Sequence, residues 1–167
     1  MTDDATNTVQ LPLIAGYNPQ GEAIVEQINA SVIEGNRNEF RVQTSPAFVR
    51  GLAADDKIRY PIDDQAGWEL VEHSGNLCIR VFSKHNTEEL DQMLTPEIEL
   101  IDGKLDLKSP RILIYTIHVS IGFQKIEDVL NKVLAGFPDT VWYYGNVYDP
   151  EDGVTPLNWW QEIAGSV

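Results

Sequence analysis

Cysteine occurs once in the 167 residues, at Cys78. A single thiol excludes an intramolecular disulfide and favours a reducing compartment. Zinc sites need Cys and His clustered at short spacing. Here His73, His85 and His118 are widely separated, so no metal is expected. Basic residues are scarce: 12 Lys and Arg stand against 26 Asp and Glu, a net charge of −14. None lies in residues 1–35 and none follows Lys132. Such a chain lacks the positive field that displaces counterions from phosphates, so nucleic acid is not an expected partner. No apolar run reaches the ~18 residues of a membrane span; the longest, 112–119, is broken by Thr116 and His118. The acidic, polar opening MTDDATNTVQ has neither the basic head nor the apolar run of a signal peptide. The expectation is a soluble, cytoplasmic protein with no membrane partner. Phosphate-loop, dinucleotide and nucleophile-elbow motifs are all missing, and no cofactor is expected.

What the chain does have is the composition of a globular domain, 43% hydrophobic and 23% charged. Residues 1–21, punctuated by Pro12, Gly16, Pro19 and Gly21, read as a polar, acidic tail that orders late. Residues 22–76 read as a small antiparallel β subdomain. Ile24, Ile28, Ala30 and Val32 share one parity, Phe40 and Val42 follow a turn, and Ile58 and Tyr60, then Trp68 and Leu70, continue the alternation. Short alternating strands with tight turns predict a curled sheet or partial barrel. Asp63-Asp64 reads as the turn that ends the third strand. The connection over 48–56 is rich in small residues.

From residue 77 the pattern changes. Leu77, Ile79 and Val81 predict a strand. Asn86, with Glu89 three residues on, predicts an N-cap for a short helix ended by Pro96. Ile98 and Leu100 read as the next strand, with a turn at Asp102-Gly103. Residues 112–119 are apolar on both parities, which predicts a central strand covered on both faces. Ile126, Val129, Leu130, Val133 and Leu134 give a helix stripe at i, i+3, i+4, i+7 and i+8, with Gly136 as its capping glycine. Val141 and Tyr143 open a last strand that reaches Val147. The order over 77–148 is β-α-β-β-α-β, a ferredoxin-like arrangement. The fold class is therefore α+β, with the small N-terminal sheet packed on the ferredoxin-like half. Residues 149–167 read as an acidic turn and a short aromatic helix that starts after Thr155-Pro156. The second face of the ferredoxin-like sheet must be covered, and the N-terminal sheet is the favoured cover over a second copy of the chain.

Several groups invite a chemical reading. His118 reads as a buried or half-buried histidine satisfied by one hydrogen bond. Cys78 and His85 would form a nucleophile pair only within hydrogen-bond reach. Asp55-Asp56 and Asp63-Asp64 point to opposite faces of a strand and read as turn residues. Asp149-Pro150-Glu151-Asp152-Gly153 lacks the alternating ligands of a calcium loop and reads as a turn. Trp142, Tyr143, Tyr144, Tyr148, Trp159 and Trp160 crowd the C-terminal end. Tryptophan and tyrosine dominate interface hot spots, which marks Trp142, Tyr144, Trp159 and Trp160 as candidate partner contacts. His73, Ser74, Asn76 and His85 are the ligand or cleft candidates, because pockets favour junctions between subdomains.

The run Ser45-Pro46-Ala47-Phe48-Val49-Arg50-Gly51-Leu52, with His73-Ser74-Gly75-Asn76 leading into Ile79-Arg80-Val81, resembles a bacterial family designated domain of unknown function 4265. The resemblance spans roughly residues 22–148. The chain departs from it at Ala53-Ala54-Asp55-Asp56, where the family pattern has a Tyr/Gly-Asp type step into the strand. The resemblance implies no activity and no catalytic residues. Three functions therefore stand in order. The first is a non-enzymatic protein-binding or regulatory module, immunity- or inhibitor-like, whose acidic surface suits a basic protein partner. The second is a small-ligand domain with its cleft at the subdomain junction. The third is an enzyme with a dispersed Cys78/His85 site. Monomer and homodimer both remain open.

Overall fold

The computed structural model describes residues 8–35, 38–62 and 67–163. The turn residues Asn36 and Arg37 and the pair Asp63-Asp64 lie outside the described residues. Two antiparallel sheets and two long helices make up an α+β fold. The first sheet is a five-stranded meander of β1 (Thr8–Tyr17), β2 (Ala23–Val32), β3 (Glu39–Val42), β4 (Lys57–Arg59) and β5 (Glu69–Glu72), in that order. It is open, and its core is Leu11, Leu13, Ile28, Ala30, Val42, Val49, Leu52 and Ile58.

β1 corrects the reading of residues 1–21 as a tail. Residues 8–17 pair with β2 over their whole length, and Leu11 and Leu13 are buried. The alternation of Val9, Leu11, Leu13 and Ala15 is the signal. Pro12 does not oppose it, because β1 is an edge strand and needs no donor on its outer side. The register shift between Ile14 and Gly16 absorbs the glycine as a bulge. β2 buries Ile28 and Ala30, but Ile24 and Val32, which share their parity, are each over 40% exposed.

The second sheet contains β6 (Asn76–Ser83), β7 (Lys104–Lys108), β8 (Ile112–His118) and β9 (Thr140–Tyr144) in the order β7-β8-β6-β9. The helices α1 (Glu88–Leu100) and α2 (Phe123–Leu134) join these strands in the ferredoxin-like sequence. α2 follows its apolar stripe: Ile126 and Leu130 are fully buried, and Val129, Val133 and Leu134 pack beside them. The chain leaves α2 through Ala135 in the right-handed region, and Gly136 carries no positive φ. The capping glycine expected at that position is therefore not used as one.

α1 departs further from the sequence reading. It runs through Pro96, and Ile98 is its third buried residue after Leu90 and Leu94. The i, i+4, i+8 spacing of those three decides the matter, since burial of the stripe outweighs one lost helical hydrogen bond. The strand expected at Ile98 and Leu100 is instead β7, which starts only at Lys104. The cap also shifts by one: Thr87 precedes the helix, while Asn86 Oδ1 accepts the Glu88 N–H at 2.8 Å. β9 ends at Tyr144, so Val147 lies beyond it. The last helix, α3 (Trp160–Ile163), starts later than expected. Asp152 accepts both the N–H and the hydroxyl of Thr155, and Leu157 N–H bonds Val147 O at 2.9 Å. Residues 155–157 are thereby held along the chain that leaves β9 instead of turning into a helix.

Alternation along β6 divides the molecule. Leu77, Ile79 and Val81 face the helices, while Cys78 and Arg80 face the N-terminal sheet. Ala47, Ala53, Cys78 and Ile114 form the buried seam. Small residues are required there, because the 45–56 connection lies between the two sheets. Ser45 fastens the seam: its N–H donates to Asp106 Oδ2 at 2.8 Å and its hydroxyl lies 2.6 Å from the Thr116 hydroxyl. Both faces of β8 are covered within one chain. Among the described residues no helix is long and apolar enough to cross a membrane.

Candidate functional site

A cleft of about 990 Å³ opens beside this seam. One wall is the far end of the β1–β2 hairpin, with Ile14, Ala15 and Ile24. The exposure of Ile24 has its explanation here. Trp68 and Leu70 of the β5 region form a second wall, and Phe48 to Gly51 a third. Arg80, Tyr143, His73 and Trp159 complete it from the ferredoxin-like side. The wall is mainly apolar and aromatic, with few polar groups.

Arg80 is the most unusual of those groups. It sits mid-strand in β6 and is 1% exposed. No ion pair among the described residues involves it. Its guanidinium instead donates to two backbone carbonyls, Phe48 O at 3.4 Å and Val49 O. Its Nε is buried without a hydrogen-bond partner. The loop it holds is fixed from the other side by Glu26, whose carboxylate accepts the N–H groups of Ala47, Phe48 and Val49 at 2.8–2.9 Å. Gly145 lies against the guanidinium. A Cβ at that position would come within 2.7 Å of Arg80 Nε and 2.8 Å of Cys78 Sγ. Arg80 also borders a smaller recess of about 210 Å³, shared with Arg50, Tyr143 and Gly145.

His73 stacks on Trp159, with ring centroids 4.4 Å apart at 17°. Its Nδ1 is buried, lacks a hydrogen-bond partner and lies 3.9 Å from Asp56 Oδ2. That separation is too long for a hydrogen bond. Burial therefore governs both groups. It lowers the His73 imidazole from its usual 6.5 to about 4. It raises the Asp56 carboxyl from 3.8 to about 6, although the Ser74 and Ala53 N–H groups bond its anion.

Of the cleft candidates read from the sequence, only His73 lines this space. Ser74 and Asn76 are tied into the structure: the Ser74 hydroxyl and the Asn76 amide both donate to Ala54 O, at 2.8 and 2.9 Å. The glycine between them is forced. Gly75 has φ +104°, and a Cβ there would meet His118 Nε2 at 2.5 Å. His118 is half-buried and bonds Ser120 through Nδ1, as a structural histidine would. His85 lies past the opposite end of β6, exposed, with Nε2 3.1 Å from Asp139 Oδ2. The strand separates it from Cys78, which is fully buried on the seam with its thiol pushed up by desolvation. A Cys78/His85 nucleophile is thereby ruled out by geometry.

The aromatic candidates also divide. Trp159 is 6% exposed and donates its Nε1–H to Asn146 O at 2.8 Å. Tyr144 is 9% exposed and its hydroxyl donates to Glu127 at 3.0 Å. Tyr144 is held in the core against α2, and Trp159 is buried against His73 at the wall of the cleft, so neither offers an open face to a protein partner. Trp142 is half-buried and donates to Asn131 Oδ1, and Trp160 packs edge-on to Phe123. Sequence reasoning missed Arg80 and Asp56. The signal for Arg80 is one charge inside Leu77-Cys78-Ile79-Arg80-Val81-Phe82, where both parities are otherwise apolar. Asp56 carries no comparable signal, since its pairing with Ala53 and Ser74 depends on the turn geometry. Among the described residues no group of three or more His, Cys, Asp or Glu is placed to hold a metal ion.

Comparison with known proteins adds little on chemistry. No curated protein matches the chain. A crystal structure of a hypothetical protein from Neisseria gonorrhoeae is similar, with 17% sequence identity and a TM-score of 0.65, over 83% of this chain and 94% of that one. At that identity the likeness concerns the fold. The sequence profile described as domain of unknown function (DUF4265) matches residues 26–136. This stretch holds most of both sheets, both long helices, and the residues Glu26, Asp56, His73 and Arg80 around the cleft. The chain therefore belongs to the DUF4265 family.

Proposed function

We propose that the protein is a small-ligand-binding domain whose ligand, a molecule with an apolar body, occupies the cleft between the N-terminal sheet and the ferredoxin-like half. The observation that carries this reading is the cleft itself: about 990 Å³, at the subdomain junction, with apolar and aromatic walls. Ligand sites favour that size, lining and place. The exposed Ile24 and Phe48, 47% and 50% accessible, are apolar surface that a bound molecule would cover. The alternative of a protein-binding module keeps the net charge of −14 as its support. It loses Tyr144 and Trp159, which are core.

Trp68 and Trp159 line the cleft and report on its filling. Titration with decanol and decanoate, followed by tryptophan fluorescence and by melting temperature, should give saturable binding and stabilisation with at least one of the two. Replacing Ala15 with Phe, which fills the hairpin wall, should abolish it. Absence of saturable binding by either probe, or unchanged binding in Ala15→Phe, would overturn the reading.

A further inference from the structure

Resting on the cleft reading, we infer that the ligand is an anion: a monocarboxylate with an apolar body, whose head group meets the Arg80 guanidinium. Arg80 is a cation that is 1% exposed and has no carboxylate partner among the described residues. Buried charges are ordinarily paired, since desolvation without a counter-charge is costly. Two carbonyl oxygens accept from Arg80, against the five donors a guanidinium carries. Neutral carbonyls offset part of the desolvation and leave the charge itself uncompensated.

The place of the side chain supplies the rest. Arg80 borders both the main cleft and the recess of about 210 Å³, and its unpartnered Nε lies against Gly145, which lines that recess. Arg50 and Tyr143 border the same two spaces. Arg50 donates only to Pro150 O, at 3.3 Å, and its charge is likewise unpaired among the described residues. Of the two acids that border these spaces, Glu69 is in an ion pair with Arg59, and Asp149 at the smaller recess is one carboxylate against the two guanidinium groups of Arg50 and Arg80. A carboxylate fits this setting better than a neutral head, because a planar two-oxygen acceptor matches the guanidinium fork. The walls of Ile14, Ile24, Trp68 and Leu70 then enclose the apolar body. On a protein of net charge −14, this local pair of cations is also what admits an anion at all.

Decanoate and decanol share one chain and differ in head group, which separates the two claims. The inference expects decanoate to bind about tenfold or more tightly than decanol, as a hydrogen bond to a charged partner would give. It also expects the preference to weaken with added salt. Arg80→Gln should abolish the preference, and Arg80→Lys should reduce it. Arg80 also holds the 48–49 carbonyls, so a variant there can fail to fold. The exposed Arg50→Gln, expected to fold, should lower decanoate affinity several-fold and leave decanol unchanged. Equal binding of both probes to wild type overturns the anion inference and leaves the cleft reading intact. Preference for decanoate that survives in both Arg50→Gln and a folded Arg80 variant also overturns it. Failure of both probes removes the cleft reading itself.

Discussion

Asp56 and His73 show how burial sets protonation at single residues, and their effects on stability run in opposite directions. Folded His73, lowered to about 4, stays neutral between pH 4 and 6.5 while the unfolded chain takes up a proton. Its contribution to stability therefore rises with pH across that window. Folded Asp56, raised to about 6, holds its proton between pH 3.8 and 6 after the unfolded chain has lost it, so its contribution falls as pH rises. The two offset each other. His73→Phe keeps an aromatic ring against Trp159 and removes only the first. Urea unfolding of wild type and His73→Phe from pH 4 to 6.5 should show the difference growing in favour of wild type, by up to about 3 kcal/mol. A pH-independent difference would mean that the imidazole is not desolvated. Neither shift was readable from the sequence, because Asp55-Asp56 has the look of any acidic turn.

The helices test the balance between packing and intrinsic preference. In α2 the periodic stripe and the packing agree, and Leu130 is fully buried. Leu130→Ala should cost about 2–5 kcal/mol through the cavity it leaves. In α1 they conflict. Pro96 is exposed and occupies the helix interior, where it removes an N–H donor. Pro96→Ala should raise stability by about 1–3 kcal/mol, since no core contact is lost. Denaturant midpoints of the two variants should therefore move in opposite directions. A destabilising Pro96→Ala would show that the proline itself is needed to seat Ile98. The sequence made Pro96 look like the end of the helix, and the spacing of Leu90, Leu94 and Ile98 was the stronger signal. The same lesson holds for β1, where Val9, Leu11 and Leu13 outweighed the punctuation by Pro12 and Gly16.

At the scale of the whole molecule the two sheets share one seam instead of meeting at a linker. Asp106 of β7, its side chain 1% exposed, accepts from Ser45 and from Thr116, and so joins the N-terminal connection to the second sheet. Cys78 and Ile114 pack directly on Ala47 and Ala53. We therefore expect one cooperative unfolding transition. Near-UV circular dichroism and tryptophan fluorescence should give coincident urea curves. Asp106→Ala should lower the midpoint by leaving the Ser45 N–H without its buried acceptor. Separate transitions, one per sheet, would show that each half is stable without the seam.

The sequence by itself determined the periodic features: the alternating strands, the stripe of α2, the β-α-β-β-α-β order, and the need to cover both faces of β8. These depend on local spacing, which hydrophobic burial turns directly into faces. It also carried the motifs around Ser45 to Leu52 and His73 to Asn76 by which the family could be recognised. Only the tertiary structure decided which polar residues meet. It drew Ser74 and Asn76 into the fold, separated Cys78 from His85, sank Tyr144 and Trp159 into the core, and brought Arg80 beside Arg50 at a cleft walled by the β1–β2 hairpin. Such meetings join segments far apart in the chain. They are set by how two sheets and the connection between them pack, and no periodicity within one segment records that.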